Sequence, residues 1–133
     1  MLADDHAEMR EEMKRILAKR KGFQVIAEAA DGVEVMNQLA LRPTHPQLLI
    51  LDLTMPRLSG IEVARKIRTD YPEIKVLILT IHREEEYVNQ AMTVGVQGYL
   101  LKEDADAEIF SAIEKILNGD FYLSPLLRKR NRS

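Results

Sequence analysis

Acidic residues follow two apolar segments that have the pattern of buried strands. Asp52 comes directly after the run Leu48–Leu51, and the pair Asp4 and Asp5 follows a shorter apolar stretch at the start of the chain. An isolated buried carboxylate is costly to keep ionised. Three carboxylates held close together repel one another unless a cation lies among them, and a site of oxygen ligands suits Mg²⁺. The pattern predicts a magnesium site with Asp5 and Asp52 as direct ligands and Asp4 acting through water.

Two further predicted strand ends carry groups that could act on a phosphoryl group. Thr80 ends one apolar run and Lys102 follows another. Once the carboxylate charges are neutralised, an oxygen of Asp52 can attack phosphorus and form an acyl phosphate. Lys102 can neutralise a phosphoryl oxygen as a compact charge, and the hydroxyl of Thr80 can donate a hydrogen bond to another.

The elements that must position these residues alternate between strands and helices. Helical spacing of apolar residues runs from His6 to about Arg20, and Ser59 with Glu62 has the spacing of a capping box that begins the third helix. Continuous apolar runs predict parallel strands covered on both faces. The pattern predicts an α/β fold in which ligands bind at the carboxyl ends of the strands. After a very short first strand, strands are predicted at residues 23–27, 48–51, 76–80 and 96–101.

Composition limits the classes of protein that fit. The chain has 133 residues, 46% hydrophobic and 30% charged, which is enough for one domain with a core. The net charge of −2 gives no global case for nucleic-acid binding, and the absence of cysteine excludes disulfides and thiolate chemistry. No apolar run approaches the roughly 18 residues of a membrane span, and no signal-peptide pattern is present. We expect a cytoplasmic protein.

The ordered set of motifs resembles the response-regulator receiver domain of two-component signalling, over roughly residues 2–120. Two segments, Leu2 to His6 and Gly98 to Glu103, are similar to the NarL/FixJ branch of that family. The resemblance implies a flavodoxin-like (CheY-like) doubly wound sheet of five parallel strands in the order 2-1-3-4-5, with the first strand shortened. The residues that carry it are Asp4, Asp5, Asp52, Met55, Pro56, Gly60, Thr80, Tyr99 and Lys102.

The resemblance also implies roles for these residues. Asp52 is expected to accept a phosphoryl group from a histidine kinase, with Mg²⁺ as cofactor. The backbone carbonyl of Thr54 is expected to join the three aspartates as a metal ligand. Thr80 and Tyr99 are the expected switch pair, in which Thr80 moves toward the phosphoryl group and Tyr99 turns inward. A homodimer is possible.

Several features depart from the family. Only Met1, Leu2 and Ala3 precede Asp4. We expect a chain trimmed at its amino end, or a first strand whose pairing is short and weak, or a first strand completed by strand exchange. Glu103 stands where many receivers have proline, and Ile81 is bulky where many have a small residue. Residues 1–120 are predicted to form the receiver domain. Residues 121–133 are predicted to be an irregular linker toward a DNA-binding output domain outside this chain, so the chain alone should bind no nucleic acid.

Other interpretations remain open. A haloacid-dehalogenase-like phosphatase also uses a strand-end aspartate and Mg²⁺, but it needs an acid two residues later, where this chain has Thr54. A receiver-like interaction module that works without phosphorylation is the other alternative. We expect no enzyme beyond slow self-phosphorylation and self-dephosphorylation. His6, His45 and His82 show no ligand spacing and are predicted to be surface residues.

Overall fold

The structure is a computed structural model that describes residues 1–130; residues 131–133, the end of the predicted linker, lie outside the described part. Within it, one parallel sheet has the order β2-β1-β3-β4-β5-β6, so the predicted order of five strands is confirmed and a sixth is added. The strands are β1 (Leu2–Ala3), β2 (Glu28–Ala29), β3 (Leu48–Leu51), β4 (Lys75–Thr80), β5 (Gly98–Leu101) and β6 (Tyr122–Leu123). The helices are α1 (Ala7–Leu17), α2 (Gly32–Leu41), α3 (Gly60–Asp70), α4 (Glu85–Val94), α5 (Ala105–Leu117) and α6 (Pro125–Arg130).

The central strands are buried on both faces. Successive residues of a strand point to opposite faces, so Leu49 and Leu51 enter one hydrophobic core and Ile50 enters the other. Leu77 and Ile78 of β4 divide between the two cores in the same way. Burial on both faces explains why these strands have continuous apolar runs rather than alternating ones.

Helix α3 begins against the segment that carries Asp52. The Ser59 hydroxyl accepts the Glu62 backbone N–H at 3.3 Å and donates to its carboxylate at 3.1 Å, so the predicted start of the helix at Ser59 is confirmed. Gly60 follows, and a Cβ at this position would lie 2.1 Å from the carbonyl oxygen of Asp52. Glycine therefore lets the start of the helix approach the backbone of Asp52 closely.

The predicted strand at residues 23–27 is wrong, and the second strand lies further along the chain. In the parallel register Leu2 is paired with Glu28 and Ala3 with Ala29. Continued toward lower residue numbers, this register takes residues 23–26 past Met1, so these residues have no partner in β1. The apolar pattern predicts a strand correctly only when a partner strand is present.

A cavity with both polar and apolar walls occupies the space beside the amino end of β1. Its volume is about 340 Å³. The α-amino group of Met1 lies at its edge and donates to the carbonyl oxygen of Leu48 at 3.0 Å. Burial, helped by the positive charge of Arg42, lowers the pKa of this amine from 8.0 to about 6. The cavity walls come from the start of β1, the 22–26 segment, the 45–50 segment, Leu17, Ile113 and Leu117.

The buried amine makes stability depend on pH. Its pKa is lower in the folded protein, so between about pH 6 and 8 the unfolded chain binds more protons. The free energy of unfolding should therefore fall by about 2 kcal/mol as the pH drops from 8 to 6. Urea unfolding at the two pH values measures this change. Acetylating the amine should remove the slope, and an equal slope in the acetylated protein would assign it to other groups.

The segment predicted to be irregular after Asp120 is ordered through residue 130. The Tyr122 N–H donates to the Gln97 carbonyl at 3.0 Å, and the Ser124 N–H donates to the Tyr99 carbonyl at 2.9 Å. The Ser124 hydroxyl accepts the Leu101 N–H at 2.8 Å. These bonds satisfy the outer edge of β5, and the short run Tyr122–Leu123 carries too few residues for a period to be recognised. The predicted domain boundary at residue 120 stays a prediction.

Among residues 1–130, no helix has both the length and the apolar character needed to cross a bilayer.

Candidate functional site

The parallel pairing of β1 with β3 places Asp4 beside Asp52. Ala3 is paired with Leu51, so the residue after each strand lies at the same level of the sheet. The backbone N–H of Asp52 donates to the carbonyl of Ala3 at 3.0 Å and fixes this register at the strand ends. Only 6% of Asp4 and 3% of Asp52 is exposed. The structure thus brings together two of the three predicted aspartates as buried neighbours.

Lys102, which follows β5, reaches across to both buried carboxylates. Its Nζ lies 2.9 Å from Oδ2 of Asp4 and 3.3 Å from Oδ2 of Asp52. Burial raises the pKa of Asp52, and the charge of Asp4 adds to this, while the nearby Lys102 opposes it. Burial lowers the pKa of Lys102, but its contacts with Asp4 and Asp52 outweigh this effect and the pKa is raised. The lysine is therefore a fixed positive charge in the site.

Asp5 and His6 form the outer part of the same cluster. The Nδ1 atom of His6 lies 3.2 Å from Oδ1 of Asp4 and 3.1 Å from Oδ1 of Asp5. The His6 side chain is 70% exposed, so the predicted surface position is confirmed, but its ring lies against the acidic site. The spacing of the histidines in the sequence does not indicate this contact, because it depends on the turn formed by the consecutive residues Asp4, Asp5 and His6.

The cluster fits a divalent cation. Ligand atoms of Asp4, Asp5, His6 and Asp52 all lie within 4.8 Å of one another. Three carboxylates face one ammonium group, that of Lys102, so a divalent cation would balance the remaining charge. Oxygen donors of this kind are those that Mg²⁺ prefers. The acidic cluster that the sequence predicted is present.

Arg10 supports the loop between β1 and α1 and was not singled out from the sequence. One guanidinium nitrogen donates to the backbone carbonyl of Asp4, and Nε lies 3.2 Å from Oε1 of Glu28. Lys14 reaches the same carboxylate at 2.9 Å, and its hydrogen bond lowers the pKa of Glu28. Arg10 thus ties the acidic turn to β2. Its position four residues after His6, on the inner side of a predicted helix, was the available signal.

Thr54 lies in the loop that follows Asp52 and is exposed. Together with Asp5, His6 and Tyr87, it lines an open cleft of about 620 Å³ beside the acidic cluster. The cleft lies on the exposed side of the site. The proposed role of the Thr54 carbonyl as a ligand stays a prediction.

Thr80 and Tyr99 both bind the backbone of one residue, His82. The Thr80 hydroxyl accepts the His82 N–H at 3.3 Å, and the Tyr99 hydroxyl donates to the His82 carbonyl at 2.7 Å. Both Thr80 and Tyr99 are fully buried. The ring of His82 stacks on Tyr87 at 4.4 Å between centroids. The loop from β4 to α4 is therefore held by the two residues that the sequence predicted as a pair. In this structure the ring of Tyr99 is already turned inward.

The doubly wound sheet and the acidic strand-end cluster with its lysine define a class of α/β signalling domains. Residues 1–114 match the family described as the response regulator receiver domain. The chain belongs to this family, and the predicted similarity to the NarL/FixJ branch is confirmed.

Curated relatives and a solved structure support the assignment. The transcriptional regulatory protein DegU of Brevibacillus brevis is 38% identical over 126 residues, which are 94% of this chain and 52% of DegU. The oxygen regulatory protein NreC of Staphylococcus carnosus is 37% identical, over 94% of this chain and 57% of NreC. The chain thus spans about half the length of these relatives.

The crystal structure of a LuxR-family two-component response regulator from Aurantimonas sp. SI85-9A1 has the same fold. It is 37% identical to this chain, with a TM-score of 0.90, and the match covers 97% of this chain and 91% of the other. The fold and the family of the receiver are therefore established together.

Proposed function

We propose that Asp52 accepts a phosphoryl group from a phosphohistidine of a histidine kinase, with Mg²⁺ bound by Asp4, Asp5, Asp52 and the carbonyl of Thr54. The observation that carries the proposal is the convergence of Asp52, Asp4 and Lys102 at one end of the sheet. Bound Mg²⁺ would supply positive charge that neutralises the carboxylates and the phosphoryl oxygens.

Asp52 and Lys102 have different roles in the proposed phosphoryl transfer. A carboxylate oxygen of Asp52 forms the bond to phosphorus while the phosphorus–nitrogen bond to the donor imidazole breaks, and the imidazole leaves with the electron pair. Lys102, already 3.3 Å from Asp52, can exchange this contact for one to a phosphoryl oxygen. The open cleft beside Thr54 admits the donor, while the buried position of Asp52 limits the access of water.

The switch proposed for Thr80 begins with the release of His82. If Thr80 moves toward a phosphoryl oxygen as proposed, its hydroxyl leaves the His82 N–H, now 3.3 Å away, which frees one end of the loop held by Tyr99. Shifting a two-state population from 1:99 to 99:1 needs about 5.5 kcal/mol. A hydrogen bond to a charged group supplies about 1.5–3 kcal/mol. Lys102, the cation or a dimer partner must add the rest, so the isolated monomer should switch incompletely.

We propose that the domain is a signalling element rather than a phosphatase. The residue two positions after Asp52 is Thr54, which cannot act as the general acid that a haloacid-dehalogenase-like site requires. The name of DegU, a transcriptional regulatory protein, supports a role in transcription. We further propose a homodimer, a cytoplasmic location, and DNA contacts made by residues other than those of this chain. The linker role of residues 121–133 belongs to the same proposal.

Incubation with a small acyl phosphate tests the proposal. We expect one phosphoryl group by intact mass, located on Asp52 by peptide mapping, only when Mg²⁺ is present. Addition of a chelator should prevent labelling. Continuous turnover of a phosphate ester would instead support the phosphatase. A folded protein that takes no label from either the acyl phosphate or a histidine kinase would overturn the proposal in favour of a module that works without phosphorylation.

A further inference from the structure

His6 occupies a position that helix capping does not explain. It precedes the first residue of α1 and has the extended backbone of an N-cap, but its side chain makes no capping hydrogen bond. Histidine is also not among the residues that favour this position. Its backbone N–H instead donates to Oδ1 of Asp4 at 2.8 Å and closes a tight turn over the acidic cluster. This turn directs the imidazole toward the carboxylates.

The spacing of the imidazole nitrogen matches that of a metal ligand. Nδ1 of His6 lies 3.2 Å from an oxygen of Asp4 and 3.1 Å from an oxygen of Asp5. Neighbouring ligands of an octahedral cation with bonds of about 2.1 Å are about 3 Å apart. A single imidazole N–H cannot point directly at both oxygens, whereas one cation can bind all three atoms.

The donor set differs from a site made only of oxygen. Imidazole suits Co²⁺, Ni²⁺ and Zn²⁺, whereas Mg²⁺ takes oxygen ligands and keeps several waters. Because His6 is 70% exposed, its ring is free to stay out of the coordination shell when the cation is Mg²⁺. Asp4, Asp5 and Asp52 would serve as ligands for both classes of cation.

We propose that Nδ1 of His6 is a direct ligand when the acidic site binds a divalent transition-metal cation. The inference rests on the proposed cation site at Asp4, Asp5 and Asp52 and adds a second class of cation to it. The side chain of His6 then sets the preference of the site between Mg²⁺ and transition metals. The receiver binds Co²⁺ more tightly than Mg²⁺, and His6 accounts for much of the difference.

Titration with Co²⁺ and with Mg²⁺ tests the proposal by calorimetry. His6→Asn should weaken Co²⁺ binding at least about tenfold, since a ligand is lost, and should leave Mg²⁺ binding within about twofold. In the proton NMR spectrum of the Co²⁺ form, a strongly shifted imidazole N–H signal should be present in the original protein and absent in His6→Asn. His45→Asn is the matched control, because His45 contacts Glu73 instead of the cluster, and it should keep both the affinity and the signal.

The outcomes separate this inference from the proposed function. Co²⁺ binding without a shifted imidazole signal, or with unchanged affinity in His6→Asn, would overturn the role of His6 and leave the acidic site intact. Failure of both Mg²⁺ and Co²⁺ to bind the folded protein would overturn the cation site, and the role of His6 with it. A shifted signal that disappears in His45→Asn would place the bound Co²⁺ elsewhere and contradict the proposal.

Discussion

The Asp52→Asn protein should take up no phosphoryl group from any donor, because the amide cannot supply the attacking oxygen anion. The variant should remain folded, since asparagine has nearly the same shape and Lys102 keeps its contact with Asp4 at 2.9 Å. Intact mass after incubation with a small acyl phosphate and Mg²⁺ measures the result. Labelling of the variant at the same level as the original protein would place the acceptor on another residue. The matched control is Asp70→Asn, at the exposed end of α3.

Asp52→Asn should also stabilise the protein when no divalent cation is added. Burial raises the pKa of Asp52 above its ordinary value of 3.8, so its ionised form is disfavoured in the folded state. Ionisation of Asp52 therefore lowers the free energy of unfolding as the pH rises from about 4 through the raised pKa. Above that pKa the whole destabilising effect is present. Asp52→Asn should be more stable at pH 7, with a smaller difference near pH 4. Urea unfolding at both values, with and without Mg²⁺, measures the effect, and a less stable variant at pH 7 would contradict it.

Extension of β1 should stabilise the protein by filling the cavity at its amino end. Each added apolar residue that becomes buried contributes about 1.5–3 kcal/mol, and ordering it costs about 1–2 kcal/mol or more. At the middle of these ranges, three buried residues should add about 2 kcal/mol to the free energy of unfolding. The extension also replaces the buried amine of Met1 with an uncharged amide, which should remove the slope between pH 6 and 8.

The register specifies which added residues matter most. Leu2 contributes to the core that includes Leu17 and Ile113, whereas Met1 and Ala3 belong to the core on the other face. By strand alternation, the residue joined to Met1 should point into the cavity beside Leu17 and Ile113. Continued backwards, the pairing places the three added residues opposite Ile26, Val25 and Gln24 on one side, and Leu48, Gln47 and Pro46 on the other.

The extension Val-Val-Ile before Met1 is the test, and Val-Val-Asp is its matched control. Urea unfolding at pH 8 should show a clear gain in stability for the first extension and little gain or a loss for the second, because the carboxylate would point toward the apolar side chains of Leu17 and Ile113. Amide exchange should become slower in residues 24–26 as they gain a paired strand. Equal stability of the two extended proteins would mean that the added residues do not enter the sheet.

The sequence was sufficient where the signal was local. The runs Leu48–Leu51 and Val76 to Thr80 have no interpretation other than buried strands, and Ser59 with Glu62 carries its own capping geometry. These strands located the strand ends in the sequence, and the strand ends predicted that Asp4, Asp52 and Lys102 lie close together.

The errors have one physical origin, because they concern contacts between distant segments. Residues 23–27 have a strand pattern but lack a partner over most of their length, whereas Tyr122–Leu123 has almost no pattern but finds the open edge of β5. The place of His6 depends on the three-dimensional path of a turn, which hydrophobic periodicity does not describe.

Strand β6 also limits where the chain can be shortened without exposing the edge of β5. A protein shortened at Asp120 would keep the predicted receiver, but it would uncover the carbonyl of Tyr99 and the N–H of Leu101, which Ser124 now satisfies. An uncovered parallel strand is a template for pairing with another chain. Such a shortened protein would associate through β5, and its self-association could be mistaken for signalling dimers. The residues after Asp120 thus cover the edge that β5 would otherwise expose.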